Sequence, residues 1–144
     1  MRRLVYIFFL VLLFSCKKDD VITTHPVIEF INISPSIAQE YIDDINITIS
    51  YTDGDGDLGE NNPDVYNLFV LDNRNGIEYK FRIPELSPNE NEIAIEGHFN
   101  IKINGSGITN GSTSQQVNYD IYVTDRGGNV SNTVSTSYIT IEEE

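Results

Sequence analysis

In 144 residues, 22 acidic side chains stand against 9 basic ones, a formal charge of −13. That field repels nucleic acid and anionic lipid headgroups, so neither is an expected partner. A lone cysteine excludes an internal disulfide, and stability must come from a packed core or bound ions. The chain opens MRRLVYIFFLVLLFSCKKDD, in which Arg2 and Arg3 precede an unbroken apolar run of 11 residues, 4–14, and then the small Ser15. This is the layout of a secretory signal peptide. The run is too short to cross a hydrocarbon core, which takes about 20 helical residues.

Leu13-Phe14-Ser15-Cys16 resembles a bacterial lipobox. The resemblance implies cleavage after residue 15 and a covalent diacylglycerol and acyl lipid on Cys16, which makes a membrane the partner through a lipid anchor. Two or more acyl chains hold a protein stably where one is marginal. The next residues, Lys17, Lys18, Asp19 and Asp20, resemble the surface-export signal of Bacteroidetes-type lipoproteins. That implies display on the outer membrane at the cell surface, with retention at the inner leaflet as the other possibility. Residues 16–25 are polar, end at Pro26 and suit a flexible tether. Residues 26–144, about 115 of them strand-patterned, make one domain of ordinary size.

From residue 27 onward the pattern is β. Ile28 and Phe30 alternate with Val27, Glu29 and Ile31, and Ile45, Ile47, Ile49 and Tyr51 alternate strictly with Asn46, Thr48 and Ser50. Period two marks a half-buried strand. Residues 65–71 are almost continuously apolar, as in a more fully covered central strand, and Asn73-Arg74-Asn75-Gly76 supplies a hairpin turn before Ile77, Tyr79, Phe81 and Ile83. Pro84 and Pro88 bracket a link at the sheet's edge. Ile93, Ile95, Phe99, Ile101 and Ile103 then share a face, with a bulge expected at Gly97. After a Gly/Ser/Asn/Thr-rich loop, Val117, Tyr119, Ile121 and Val123 alternate again, residues 125–129 turn the chain, and residues 130–141 form the last strand.

About seven strands without helical period predict an all-β fold, a single antiparallel β-sandwich. Ile47, Ile49, Phe69, Tyr119, Ile121 and Val123 are expected between its sheets. The stretch YDIYVTDRGGNVS, residues 119–131, resembles the closing hairpin of immunoglobulin-like and fibronectin type III domains. The resemblance implies that Tyr119 is a tyrosine corner, its hydroxyl bonding upstream backbone. The absence of tryptophan and of a cysteine pair excludes an antibody-type domain.

Chemistry is sparse. His25 falls in the tether and His98 on the polar face of its strand, while Glu85, Glu90 and Glu92 lie in the proline-bracketed link. No nucleophile-and-base pair, phosphate loop or zinc motif occurs, so a non-enzyme is expected. The one concentrated feature is YTDGDGDLGENNPD, residues 51–64. Counted from Asp53 as an EF-hand, it puts Leu58 where the motif needs glycine, and its flanks are strands. It resembles calcium-binding DxDxD loops more generally, with Asp53, Asp55, Asp57 and Asp64 as side-chain ligands and a carbonyl near Gly59 completing the shell. A solvated Asp/Gly turn is the alternative.

The expected function is a monomeric, non-catalytic, lipid-anchored surface module that binds an unidentified protein or glycan. The competing reading is an accessory carbohydrate-binding or small hydrolytic lipoprotein, with Tyr66, Tyr79 or Tyr122 as exposed aromatics.

Overall fold

The computed structural model describes residues 23–87 and 93–144. The expected signal peptide, most of the expected tether with Cys16, Lys17, Lys18, Asp19 and Asp20, and the link residues Glu90 and Glu92 lie outside the described residues. Among the described residues there is no helix. Ten strands form in chain order: β1 (Val27–Ser34), β2 (Ile37–Gln39), β3 (Ile45–Asp53), β4 (Leu68–Asp72), β5 (Glu78–Phe81), β6 (Ile95–Ile103), β7 (Ser114–Val117), β8 (Tyr119–Val123), β9 (Val134–Ser135) and β10 (Ile139–Glu142).

They pair as β1-β3-β6, β5-β4-β8-β9 and β2-β10-β7. The last two sheets continue one another. β7 and β8 are separated only by Asn118, and β9 and β10 return antiparallel to β8 and β7 respectively. Thr136 bridges the break: its hydroxyl accepts from Tyr119 N at 3.0 Å and its N–H donates to Tyr119 O at 2.9 Å. The architecture is thus two layers facing each other, as a β-sandwich requires. Ile28, Ile45, Ile47, Ile49, Ile101 and Ile103 from one layer meet Leu68, Val70, Val117, Tyr119, Ile121, Val123, Ile139 and Ile141 from the other in one buried cluster.

Four expectations are corrected. The two closing strands are each broken in two, and a three-residue β2 adds a strand too short to show a period. β2 pairs with β10 in parallel (Ile37↔Thr140, Ala38↔Ile141), so the sandwich is not wholly antiparallel. Chain direction explains this, since β2 follows β1 after the Ser34-Pro35-Ser36 link and joins the opposite layer.

The bulge is not at Gly97, because β3 and β6 keep one register from Ile45↔Ile103 to Asp53↔Ile95. It lies on β1 between Phe30 and Asn32, and this is why the inward set changes phase from Ile28 and Phe30 to Ile33. Gly97 instead makes room for a ring. A Cβ there would sit 2.6 Å from the Tyr51 hydroxyl oxygen, and Tyr51 stacks on Phe99 with centroids 4.4 Å apart.

Finally, Phe69 is only half-buried and lies on the outer face, stacked on Tyr122 with centroids 4.8 Å apart. Leu68 and Val70 are the inward residues of β4.

Candidate metal centre

The inward phase of β3 runs Ile45, Ile47, Ile49, Tyr51 and then Asp53, so alternation itself carries a carboxylate into the end of the core. Asp53 is 1% exposed. Its Oδ2 accepts a 2.8 Å hydrogen bond from Leu58 N, and the fully buried Leu58 side chain pins the loop that returns over it. Gly56 turns that loop with φ 73°. Its α-carbon packs on the Ile93 carbonyl so closely that no Cβ would fit.

Asp57, half-buried, docks on the turn after β8. Its Oδ2 accepts from Gly127 N at 2.8 Å, and its carbonyl accepts from Arg126 N at 3.2 Å. Asp125, 8% exposed, shapes that turn by accepting from Asn129 N at 2.7 Å and Asn129 Nδ2 at 2.9 Å.

These constraints gather Asp53, Asp55 and Asp57, one carboxylate oxygen from each lying within 4.8 Å of the others. The Oδ1 atoms of all three are buried and have no hydrogen-bond partner among the described residues. The nearby cation does not answer them. The Arg126 guanidinium is turned to the Gly59 carbonyl at 3.1 Å and to Glu85 Oε1 at 3.3 Å.

Burial pushes the Asp53 carboxyl up to about 6, against the pull of the Leu58 N–H, and the Asp55 and Asp57 charges push the same way. Burial also raises Asp57, with the Asp125 and Asp55 charges adding to it and the Gly127 N–H and Arg126 opposing. Ionising Asp53 and Asp57 together is therefore uphill without a positive charge beside them. Oxygen-only ligands suit a hard cation, and calcium accepts six to eight oxygens in loose geometry. Among the described residues no histidine or thiol joins the cluster to make a zinc-type set.

One expected ligand is not gathered with the triad: Asp64 is exposed, in a turn where its N–H donates to Asn62 Oδ1 at 3.0 Å. The Gly59 carbonyl accepts from Arg126 Nη1 at 3.1 Å and keeps a second lone pair. What sequence reasoning missed is the second wall, Asp125 and Gly127. Asp125 continues the inward phase of Tyr119, Ile121 and Val123, and that phase was its signal.

The other candidates are not among the three gathered groups. His98 is exposed, and His25 is exposed and bonded to Thr24 Oγ1 at 3.3 Å. Glu85 is paired with Arg126 and also accepts from Asn61 Nδ2. Tyr66 is 55% exposed, whereas Tyr79 packs against the core and the Tyr122 hydroxyl donates to Glu78 Oε2 at 3.0 Å.

Tyr119 is fully buried, but its hydroxyl finds no partner among the described residues. Among the described residues the upstream backbone bond of a tyrosine corner is not formed. Burial pushes this phenol up to about 12, with neighbouring Ser106 acting the other way. Ser106 Oγ accepts from Arg74 Nη2 at 2.9 Å, while Arg74 makes a buried 2.6 Å ion pair with Asp72 and donates to the Gly107 carbonyl at 3.0 Å. This satisfied cluster ties the hairpin turn to the loop at residues 104–109.

No protein-family model, curated protein or solved structure matches the chain.

Proposed function

We propose that the chain is an exported, lipid-anchored, non-catalytic module whose β-sandwich holds calcium at Asp53, Asp55 and Asp57 and serves a protein or glycan partner at the bacterial surface. The observation that carries the calcium is the convergence of three carboxylates, one buried and two half-buried, whose buried Oδ1 atoms lack partners among the described residues. A buried acceptor left unsatisfied costs about 1 to 3 kcal/mol, more if charged, and a cation relieves three at once. Waters and backbone carbonyls complete the shell. The lipid anchor rests on the sequence around Cys16. A non-catalytic role is supported by the make-up of the cluster, which among the described residues gathers carboxylates alone, with no histidine as a base.

Thermal unfolding in chelator and in millimolar calcium tests the ion. The midpoint should rise, by the equivalent of about 2.7 kcal/mol when free calcium is 100 times the dissociation constant. The rise should be smaller with magnesium, which demands tight octahedral geometry, and nearly absent in Asp55→Asn. An unchanged wild-type midpoint together with no heat of calcium binding leaves a plain acidic turn. For the anchor, radiolabelled palmitate should enter the wild type and not Cys16→Ser; equal label in both refutes the lipobox. Protease shaving of intact cells separately tests surface display.

A further inference from the structure

The chain enters the sandwich between the two walls of the carboxylate site. Gly54, between Asp53 and Asp55, has its α-carbon pressed on the backbone of Thr23, where a Cβ would lie 2.5 Å from the Thr23 carbonyl oxygen and 2.8 Å from its nitrogen. On the other side, Asn129 Nδ2 donates to the Thr24 carbonyl at 2.7 Å. The same Asn129 is held by Asp125, and the turn that carries it is fixed to Asp57 through Gly127 N and Arg126 N. Both holds on Thr23 and Thr24 thus come from walls that the carboxylates position.

We infer that calcium at Asp53, Asp55 and Asp57 acts as a clasp that fixes the entry segment, Thr23 to Pro26, against the sandwich. This rests on the calcium reading above and adds the regulation of that site. The second observation behind the acidic cluster is Asp53 itself, 1% exposed and with Oδ1 unpartnered. With the ion bound, the 53–57 loop and the 125–129 turn share one charge-compensated centre, and the segment between them is held. With the ion removed, mutual repulsion of the carboxylates loosens both walls and frees the segment. Four released residues lengthen a tether by about 13 Å at ~3.3 Å each, so calcium would set how closely the domain is held to its anchor.

The test is nitrogen-15 relaxation of the full chain in detergent, in millimolar calcium and in chelator, with calorimetry on the same samples. The amides of Thr24 and His25 should have order parameters near ~0.85 with calcium and below ~0.6 without it. Gly54→Ala intrudes on Thr23, and Asn129→Ala removes the bond to Thr24; neither touches a carboxylate of the triad. Both should still bind calcium with measurable heat, while Thr24 stays below ~0.6 in either condition. If calcium binds the wild type and these order parameters do not change, the clasp is refuted and the site stands. If no heat of binding appears, the site fails and the clasp falls with it.

Discussion

Tyr119 brings a phenol into the core, and its hydroxyl has no hydrogen-bond partner among the described residues. The alternation of residues 117–123 in the sequence shows that this ring points inward. It cannot show what the oxygen meets, because Ser106 and Arg74 arrive from loops elsewhere in the chain. Two outcomes follow at this residue. Tyr119→Phe removes an unpartnered buried hydroxyl and should be neutral or stabilising by up to about 1 kcal/mol in urea unfolding; a loss of ~1 kcal/mol or more would show that a bond is made. The second concerns alkali. The folded phenol titrates near 12 and an unfolded one near ~10, so between those values the folded state keeps a proton that the unfolded chain sheds. Stability should therefore fall as pH rises from about 10 to about 12, by roughly 2 to 3 kcal/mol at most. Phenolate absorbance followed alongside circular dichroism checks it: one tyrosine should ionise only with unfolding, and in Tyr119→Phe the steep loss should shrink. Asp53 was more legible, since the strict phase of β3 sends it inward by counting alone.

At the scale of the strand, readability depended on clean alternation. β3 could be assigned a face residue by residue, whereas the nearly continuous apolar run of residues 65–71 carried no phase, and Phe69 was placed inward when its neighbours Leu68 and Val70 are the buried ones. Only pairing fixes the face: Phe69 stands opposite Tyr122, and Val70 opposite Ile121. Truncation should separate the two faces. Ile121→Ala, in the core, should cost about 2 to 5 kcal/mol, while Phe69→Ala should cost only about 1 to 2, the worth of an exposed stacked pair and its partial burial. Urea unfolding with an unchanged slope gives both numbers, and a larger loss at Phe69 than at Ile121 would overturn the assignment. The β1 bulge and the short β2 left no periodic trace, because each is imposed by a partner strand and not by local preference.

Across the whole molecule, the two facing layers were legible in the sequence, because inward sets from several strands demand each other as cover. The gathering of Asp53, Asp55 and Asp57 was half legible. Their spacing announced a cluster, but the turn at residues 125–129 that closes it lies some 70 residues on and is brought there only by the folded sandwich. The exclusion of Asp64 was equally a tertiary outcome.

The place of β10 has a consequence for how the protein is made. It lies between β2 and β7, and these have no other partner in their sheet; Ile139 and Ile141 fill the core from it. Of the ten strands it is the last to leave the ribosome. A growing chain that has reached only residue 133 lacks the strand that joins β2 to β7, so the second layer stays open until β10 has emerged. Ribosome-bound chains whose emerged portion ends at residue 133 should be digested quickly by protease, and those exposing residue 144 should resist; equal resistance in the two would show that the sandwich closes without its last strand.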